Sequence, residues 1–264
     1  MGNSCTQNTG TSDIIPQIGE RRHNNTEVLI DASGATQKEM SENSIDEIRK
    51  ANNTSESNEV TIIAMDREIW SSGHFLVRGP NYMNDKSKRI CTTNLFQNLC
   101  VLVSKTPDQY LKTGLFLSTE DKITFAIIIH SKELAFTMVF NAHKNQLDDF
   151  HRQFFSEGCS DEFRNNHLKL IPKVIDGNII LKMAVKADPI LIGKKVNVKY
   201  VQSGNYLEAR VDVSSNPVAT NVFGLALVYA SKSVFELGFL LQKEHSEEMM
   251  TSFVFNKFDL EKNR

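Results

Sequence analysis

The N-terminal run MGNSCT carries two groups that can be acylated. Removal of Met1 leaves Gly2 as the terminal amine, and Met-Gly, three residues, then Ser or Thr is the N-myristoylation pattern, met here by Gly2 and Thr6. A single myristoyl chain gives only marginal, reversible membrane binding, so a second attachment is expected. Cys5, three residues from the acylated amine, can supply it as a palmitoylated thiol. A polybasic patch cannot, because no Lys or Arg precedes Arg21.

Three basic stretches further along suit an anionic ligand. In FLVRGPNYMNDKSKR, Gly79 and Pro80 break a strand after Arg78, and a loop opens into Lys86, Lys88 and Arg89. Backbone amides beside several cations form a phosphate cradle. HLKLIPK adds Lys169 and Lys173, and IGKKVNVK adds Lys194 and Lys195 after Gly193. Together these loops would face an anionic membrane. The competing expectation is that the cations are merely solvated, that Arg78 pairs with Asp85 or Glu208, and that the glycines only form turns.

Motifs for catalysis are missing. There is no G-x-S-x-G, no H-E-x-x-H, and GKK at Gly193 is not a phosphate-binding loop, since Asp188 and Lys195 occupy its required Gly and Ser/Thr positions. His130, His143, His151, His167 and Cys159 are scattered, and Tyr206 with Glu208 is no mechanism. No catalytic residue, metal or cofactor is expected, and the chain is not expected to be an enzyme.

Composition narrows the setting. A formal charge of −2 over 264 residues gives no reason to expect nucleic acid as a partner. The four cysteines form no C-x-x-C pair, and no secretory h-region follows Met1, which fits a reducing, cytosolic location. The sequons at Asn24, Asn52 and Asn53 then never meet a glycosyltransferase. No run approaches the about 18 apolar residues of a membrane span.

The aromatic residues mark a boundary. All 22 (16 Phe, 5 Tyr, 1 Trp) fall from Trp70 onward, while residues 1–60 are rich in Asn, Ser and Thr, with ten acidic against five basic side chains. Such a segment cannot bury enough apolar area to offset its ordering entropy. It is expected to be a disordered tether, with one short helix at Ser44–Ala51. Residues 61–264 hold the remaining 25 basic and 22 acidic residues and are expected to fold as one domain.

In that domain the dominant period is two. YLEARVDV places Leu207, Ala209, Val211 and Val213 on one face and Tyr206, Glu208, Arg210 and Asp212 on the other, as in a half-buried strand. HFLVRG, LFQNLCVLVS, ITFAIIIH, LAFTMVFN, HLKLIP, NIILKMAVK, VNVKYVQ and VFELGFLLQ also read as strands, with turn signals at Asp176-Gly177 and Ser203–Asn205. Helical spacing occurs in NQLDDFHRQFFSEG and in PVATNVFGLALVYAS, where Asn216 caps, Pro217 opens the first turn, and the apolar surface runs nearly all round. The second helix is expected to lie buried against the sheet. The fold class is α+β: a single domain with a curved, mainly antiparallel sheet packed by a few helices.

The runs WSSGHFLVRGPNYMNDKSK, DEFRNNHLKLIPKVIDG, PILIGKKVNVKYVQSGNYLEARVDVSSNPVA and GLALVYASKSVFELGFLLQ resemble, in order from about Trp70 to Leu260, the C-terminal domain of the plant Enhanced Disease Resistance 2 family. In that family the domain follows a pleckstrin homology domain and a START lipid-binding domain. The resemblance implies a membrane-associated regulatory module tied to phosphoinositides and traffic, without catalysis. This chain has no room for either upstream domain, so Gly2 and Cys5 would supply the targeting. It also departs from the family's Glu-Leu-Pro-Glu segment, reading HSEEMMTSFVFNKFDL, with Glu247 and Glu248 but no proline.

The combined expectation is a peripheral membrane protein on the cytosolic face of the plasma membrane or an endomembrane, held by acyl chains, whose domain binds membrane lipid, phosphoinositides included. A carrier would need a cavity lined by residues such as Phe223, Leu227, Phe239 and Ile127–Ile129. A membrane-tethered protein scaffold with a filled core is the alternative.

Overall fold

Runs of β-branched and aromatic residues dictate the strands. The computed structural model describes residues 60–64, 75–91, 94–104, 119–132 and 134–258, all within one compact unit, Met40–Arg264. Gly2, Cys5 and the expected helix at Ser44–Ala51 lie outside the described residues.

A six-stranded sheet is built from β1 (Val60–Ala64), β4 (Gln97–Ser104), β5 (Lys122–His130), β6 (Ala135–His143), β9 (Asn197–Ser203) and β10 (Tyr206–Asp212), in the order β1-β4-β6-β5-β10-β9. A four-stranded sheet, order β12-β11-β7-β8, contains β7 (Leu168–Asp176), β8 (Ile190–Leu191), β11 (Val234–Gln242) and β12 (Glu247–Asn256). A separate ribbon pairs β2 (Phe75–Arg78) with β3 (Lys88–Cys91). All pairings are antiparallel except β5 with β10, which run parallel from Tyr206↔Thr124 to Asp212↔His130. Parallel neighbours need a long crossover, and here β6, β7, β8 and β9 intervene in the chain.

The inner faces of the two sheets enclose one aromatic core. Phe125, Ile127, Met138 and Phe140 from the first sheet meet Phe239, Leu241, Met250 and Phe253 from the second. Phe140 is central: its ring stands edge-on to Phe96 at 5.4 Å and to Phe125 at 5.1 Å, and stacks on Phe239 at 6.5 Å. Such pairs add about 0.5–1.5 kcal/mol beyond area burial. The ribbon covers the outer face of the second sheet, where Phe75 and Val77 pack on Ile171, Leu240 and Met249. Gly238 makes this possible, since a Cβ there would sit 2.8 Å from the Phe75 ring.

Five helices complete the described structure: α1 (Tyr82–Asp85), α2 (Asp149–Phe154), α3 (Asp161–His167), α4 (Ile179–Ala184) and α5 (Pro217–Tyr229). Side-chain caps start four of them: Asp148, Ser160, Asn178 and Asn216 each accept an N–H from the first turn.

Three expectations are overturned. NIILKMAVK is not a strand; Asn178 accepts the Ile180 N–H at 2.8 Å, the chain coils into α4, and Leu181 and Val185, four apart, are its buried anchors. β10 is not half-buried, because Tyr206 and Glu208 are as inaccessible as Leu207 and Ala209. Helix α5 is not buried and has no fully buried residue. It touches the body along Ala219, Phe223 and Leu227, leaving Val218 and Val228 in solvent. The inner faces of the two sheets are already packed against each other, so α5 is left at the edge of the core.

Candidate functional site

Not all of the expected cations are free to face a membrane, since Lys169 is buried and Lys169 and Lys173 are both paired with carboxylates. Strand register places them in three settings, each with its own chemistry.

The first is buried. Glu247 opens β12 with its carboxylate almost wholly inaccessible, and Lys169, inaccessible on β7, donates to its Oε1. Arg78 donates its backbone N–H to Oε2 at 3.0 Å and brings its Nε to 3.5 Å from Oε1. One carboxylate thus ties together β2, β7 and β12. Lys169, expected at a membrane surface, is a structural cation instead, and Arg78 pairs with neither Asp85 nor Glu208. Lys173 is also engaged: its Nζ lies 3.3 Å from the buried Glu236 and over the Phe75 ring at 5.7 Å. A desolvated carboxylate requires a partner; Lys169 and Arg78 supply it for Glu247, whereas Glu236 is held at Oε2 alone and its Oε1 has no hydrogen-bond partner among the described residues.

The second setting is the hairpin β2–α1–β3. Its amides were expected to cradle phosphate, but the loop uses most of them itself. The Gly79 N–H goes to the Ser87 carbonyl, Tyr82 to Gly79, Asp85 to Asn81 and Lys86 to Tyr82. The Ser87 N–H goes to Asp85 Oδ1 at 2.7 Å, a bond that holds the Asp85 carboxyl below its ordinary range. What the hairpin offers an anion is mainly side chains. Lys86, turned out by a left-handed backbone (φ 56°), donates to the Met83 carbonyl at 3.1 Å, and its Nζ lies 5.5 Å from the Tyr82 ring centroid. Lys88 and Arg89 are exposed, and among the described residues their side chains make no ion pair or hydrogen bond.

Register then decides what stands beside them. Leu76 pairs with Ile90 and Arg78 with Lys88, on the side of the ribbon opposite to the core-facing Phe75 and Val77. Leu76, Ile90 and, at the tip, Met83 are all more than half exposed. Arg89 instead borders an open groove of about 280 Å³ between β3 and β12, with Ile90, Leu95, Glu248 and Met249 among its lining residues. That volume is below the about 300–1,000 Å³ of a typical small-molecule site.

The third setting is the 3-10 turn Ile192–Lys194, where Lys194 and Lys195 are exposed beside α3. Gly193 serves packing here, since a Cβ would collide with the Asn165 side chain at 2.1 Å.

One cluster had no signal in the sequence. His151, buried in α2, approaches Asp148 Oδ1 with Nδ1 at 2.6 Å and Glu248 Oε2 with Nε2 at 3.6 Å, and its Nε2 has no hydrogen-bond partner among the described residues. The three groups could hold a metal by spacing. Lys243 already fills that role: its Nζ bridges Asp148 Oδ2 and Glu248 Oε2. Burial pushes the Asp148 carboxyl up, yet the bonds from Lys243 and His151 outweigh it and hold it well below the carboxylate range. Burial likewise lowers Lys243, but its two carboxylates raise it overall. His143 and His167 lie apart, against Asp121 and the Gln242 carbonyl.

The remaining reactive groups are quenched or packed. Cys100 is buried, which pushes its thiol up to about 12. Tyr206 donates to Glu208 at 2.5 Å, and burial first, then that carboxylate, raises its hydroxyl far above the usual value. Of the residues expected to line a lipid cavity, Ile127, Ile129 and Phe239 belong to the aromatic core, with Phe223 at its edge, whereas Leu227 packs in a separate group with Val103 and Leu134.

Comparison with known proteins agrees with the motifs. The family model described as protein ENHANCED DISEASE RESISTANCE 2, C-terminal, matches residues 70–255. A relative, protein ENHANCED DISEASE RESISTANCE 2-like from Arabidopsis thaliana, is 42% identical over 97 residues, covering 37% of this chain and 13% of that protein. The match therefore spans only a small part of the relative's length. No solved structure matches. With the family model covering well over half of its residues, the chain belongs to the Enhanced Disease Resistance 2 C-terminal family.

Proposed function

We propose that this is a non-enzymatic peripheral membrane protein, anchored on the cytosolic face of a membrane by acyl groups on Gly2 and Cys5, whose folded domain binds anionic lipid headgroups through the β2–β3 hairpin. The observation that carries the lipid contact is the hairpin's composition. Leu76, Met83 and Ile90 project into solvent beside Lys86 and Lys88, with Arg89 exposed on the other side of the ribbon. Exposed aliphatics among cations that form no ion pair with the described residues suit a boundary between acyl chains and phosphates. A surface contact is favoured over a carrier, since Ile127 and Phe239 are fully packed.

The test is cosedimentation of the full chain, without acyl groups, with phosphatidylcholine vesicles that contain or lack phosphatidylserine or a phosphoinositide. Binding is expected only to the anionic vesicles and is expected to be lost in Lys86→Glu/Lys88→Glu/Arg89→Glu. Equal binding of that variant and the wild type sinks the hairpin assignment. The alternative of a membrane-tethered protein scaffold gains from the packed core, and it predicts no vesicle binding by the unacylated chain.

A further inference from the structure

The imidazole of His151 is 1% exposed, yet only one of its two nitrogens is satisfied. Asp148 Oδ1 lies 2.6 Å from Nδ1 and also accepts the His151 backbone N–H at 3.0 Å, so the residue that caps α2 also fixes the orientation of the ring. An ionised carboxylate only accepts, which places a proton on Nδ1 and leaves Nε2 of the neutral ring as a lone pair. Among the described residues nothing hydrogen-bonds to it. A buried polar atom without a partner is costly, and a cation is one of the few things that can relieve it.

Nε2 is aimed at Glu248, whose Oε2 stands 3.6 Å away. That is too far for a hydrogen bond, but it is close to the spacing set by a shared metal ion. An imidazole nitrogen and a carboxylate oxygen, each about 2.1 Å from one zinc ion at a tetrahedral angle, lie roughly 3.4 Å apart. One ligand atom from each of Asp148, His151 and Glu248 falls within 4.8 Å of the others. A carboxylate on the far nitrogen, as Asp148 provides here, is also the outer-shell partner that orients metal-bound histidines. Lys243 satisfies the two carboxylates but not the ring: its Nζ bridges Asp148 Oδ2 and Glu248 Oε2. Its single charge leaves the pair of carboxylates one positive charge short. Its side chain is long and 22% exposed, so it can leave Glu248 to a dication while keeping Asp148.

We infer that His151 Nε2 and Glu248 form a binding site for a divalent transition-metal ion of the zinc type, with Asp148 as the positioning residue behind the ring and the Lys243 ammonium holding the place of the ion when the site is free of metal. The pairing of an imidazole with a carboxylate selects this class over calcium and magnesium, which take oxygen ligands. Water completes the coordination, so the affinity is weaker than that of a closed four-ligand site. The ion would tie α2 to β12 one residue beyond Glu247, the carboxylate that joins β2, β7 and β12. This site is independent of the membrane-binding function proposed above.

The experiment titrates zinc chloride calorimetrically into the full chain after chelator treatment and dialysis. A component of one zinc per chain is expected, lost in His151→Gln and in Glu248→Gln. Asp148→Asn, which keeps a cap on α2 but removes the carboxylate behind the ring, should weaken it about 10–100-fold. Lys243→Met removes the competing ammonium and should tighten it several-fold, an effect opposite to that of a merely structural loss. In nitrogen-15 spectra of the His151 ring, zinc should move the Nε2 signal while Nδ1 keeps its proton. His151 is buried, so if circular dichroism shows that His151→Gln does not fold, Glu248→Gln and Lys243→Met decide the matter, since both positions are partly exposed. Zinc uptake by Glu248→Gln equal to that of the wild type, or an affinity unchanged in Lys243→Met, would place the ion on another histidine and overturn the inference. So would a folded chain that takes up no zinc, or a His151 ring that carries protons on both nitrogens and gives up neither to the metal.

Discussion

Lys169 and Glu247 form an ion pair across 78 residues of sequence, with both side chains almost wholly removed from water. With Arg78 as the third member, the pair locks the ribbon onto the second sheet. Removing one partner of a buried pair strands the other charge and costs about 3–5 kcal/mol, whereas replacing both with apolar groups of similar volume is often near neutral. Glu247→Leu or Lys169→Met alone is therefore expected to lose about 3–5 kcal/mol in urea unfolding. The double variant should recover most of that loss. Additive losses in the double variant would show that the pair does not act as a unit.

Phe140 and Gly238 test the core and its cover. Phe140→Ala removes the ring at the centre of the aromatic cluster and is expected to cost about 3–5 kcal/mol. Gly238→Ala places a methyl group 2.8 Å from the Phe75 ring, so it should lift the ribbon and cost about 1–3 kcal/mol, as overpacking does. Combining Gly238→Ala with Phe75→Leu should return part of that loss, which unfolding curves of the three proteins would reveal.

The Asp148–His151–Lys243–Glu248 cluster sets a pH window. The Asp148 carboxyl is depressed in the folded state, so its contribution is fully present above the unfolded value of about 3.9 and is lost as pH falls toward its lower folded value. Lys243 is raised when folded, so its share is present below the unfolded value of about 10.4 and is lost as pH climbs through the higher folded one. Stability should thus be flat from about pH 5 to 9 with respect to these two groups. Asp148→Asn should flatten the acid limb of a stability-against-pH curve and Lys243→Met the alkaline limb. The effect is modest, because the Asp148 side chain is 52% exposed and screened by water.

Much of this architecture was legible in the sequence. ITFAIIIH and LAFTMVFN are β-branched runs that pair as β5 and β6 whatever surrounds them, and Asn216-Pro217 starts α5 as capping chemistry requires. Other features were not legible, for reasons of range. Three strong strand formers in NIILKMAVK lost to one cap, Asn178, because the six-residue helix needed only Leu181 and Val185 as anchors. The parallel pairing of β10 with β5 and the partners of Glu247 depend on contacts between distant segments, which periodicity does not encode. The apolar surface of α5 could be read, but not that the inner faces of the two sheets would fill each other and leave it at the edge of the core.

The hairpin cations should show their role as salt dependence. Each Lys or Arg near an anionic surface contributes about 1 kcal/mol, so Lys86→Ala/Lys88→Ala/Arg89→Ala should lose about 3 kcal/mol, roughly a hundredfold in partitioning. Screening falls within a Debye length of about 10 Å at 0.1 M salt, so raising ionic strength should weaken the wild type more than the triple variant. Lys132→Ala, which also removes a positive charge but an exposed one in the β5–β6 turn, away from the hairpin sequence, should leave the salt slope unchanged. A slope that falls equally in both variants would mean net charge, not the hairpin, drives binding.

Localisation in cells separates the anchor from the domain. One myristoyl chain alone gives a partition constant of order 10⁴ M⁻¹, too weak for stable attachment, and a second acyl group makes it durable. Gly2→Ala in a C-terminally tagged full chain removes the myristoylated amine and, with it, the membrane encounter that brings Cys5 to the palmitoylation machinery; the protein should become largely soluble. Cys5→Ser keeps the first chain and should give weak, exchanging binding spread over several membranes. The hairpin variant should retain acylation, visible as an intact-mass increment, yet lose preference for anionic membranes. Membrane retention of Gly2→Ala at the wild-type level would show that the folded domain suffices and that the acyl groups are dispensable, while an unmodified N-terminus on the native protein would remove the anchor from the proposed function altogether.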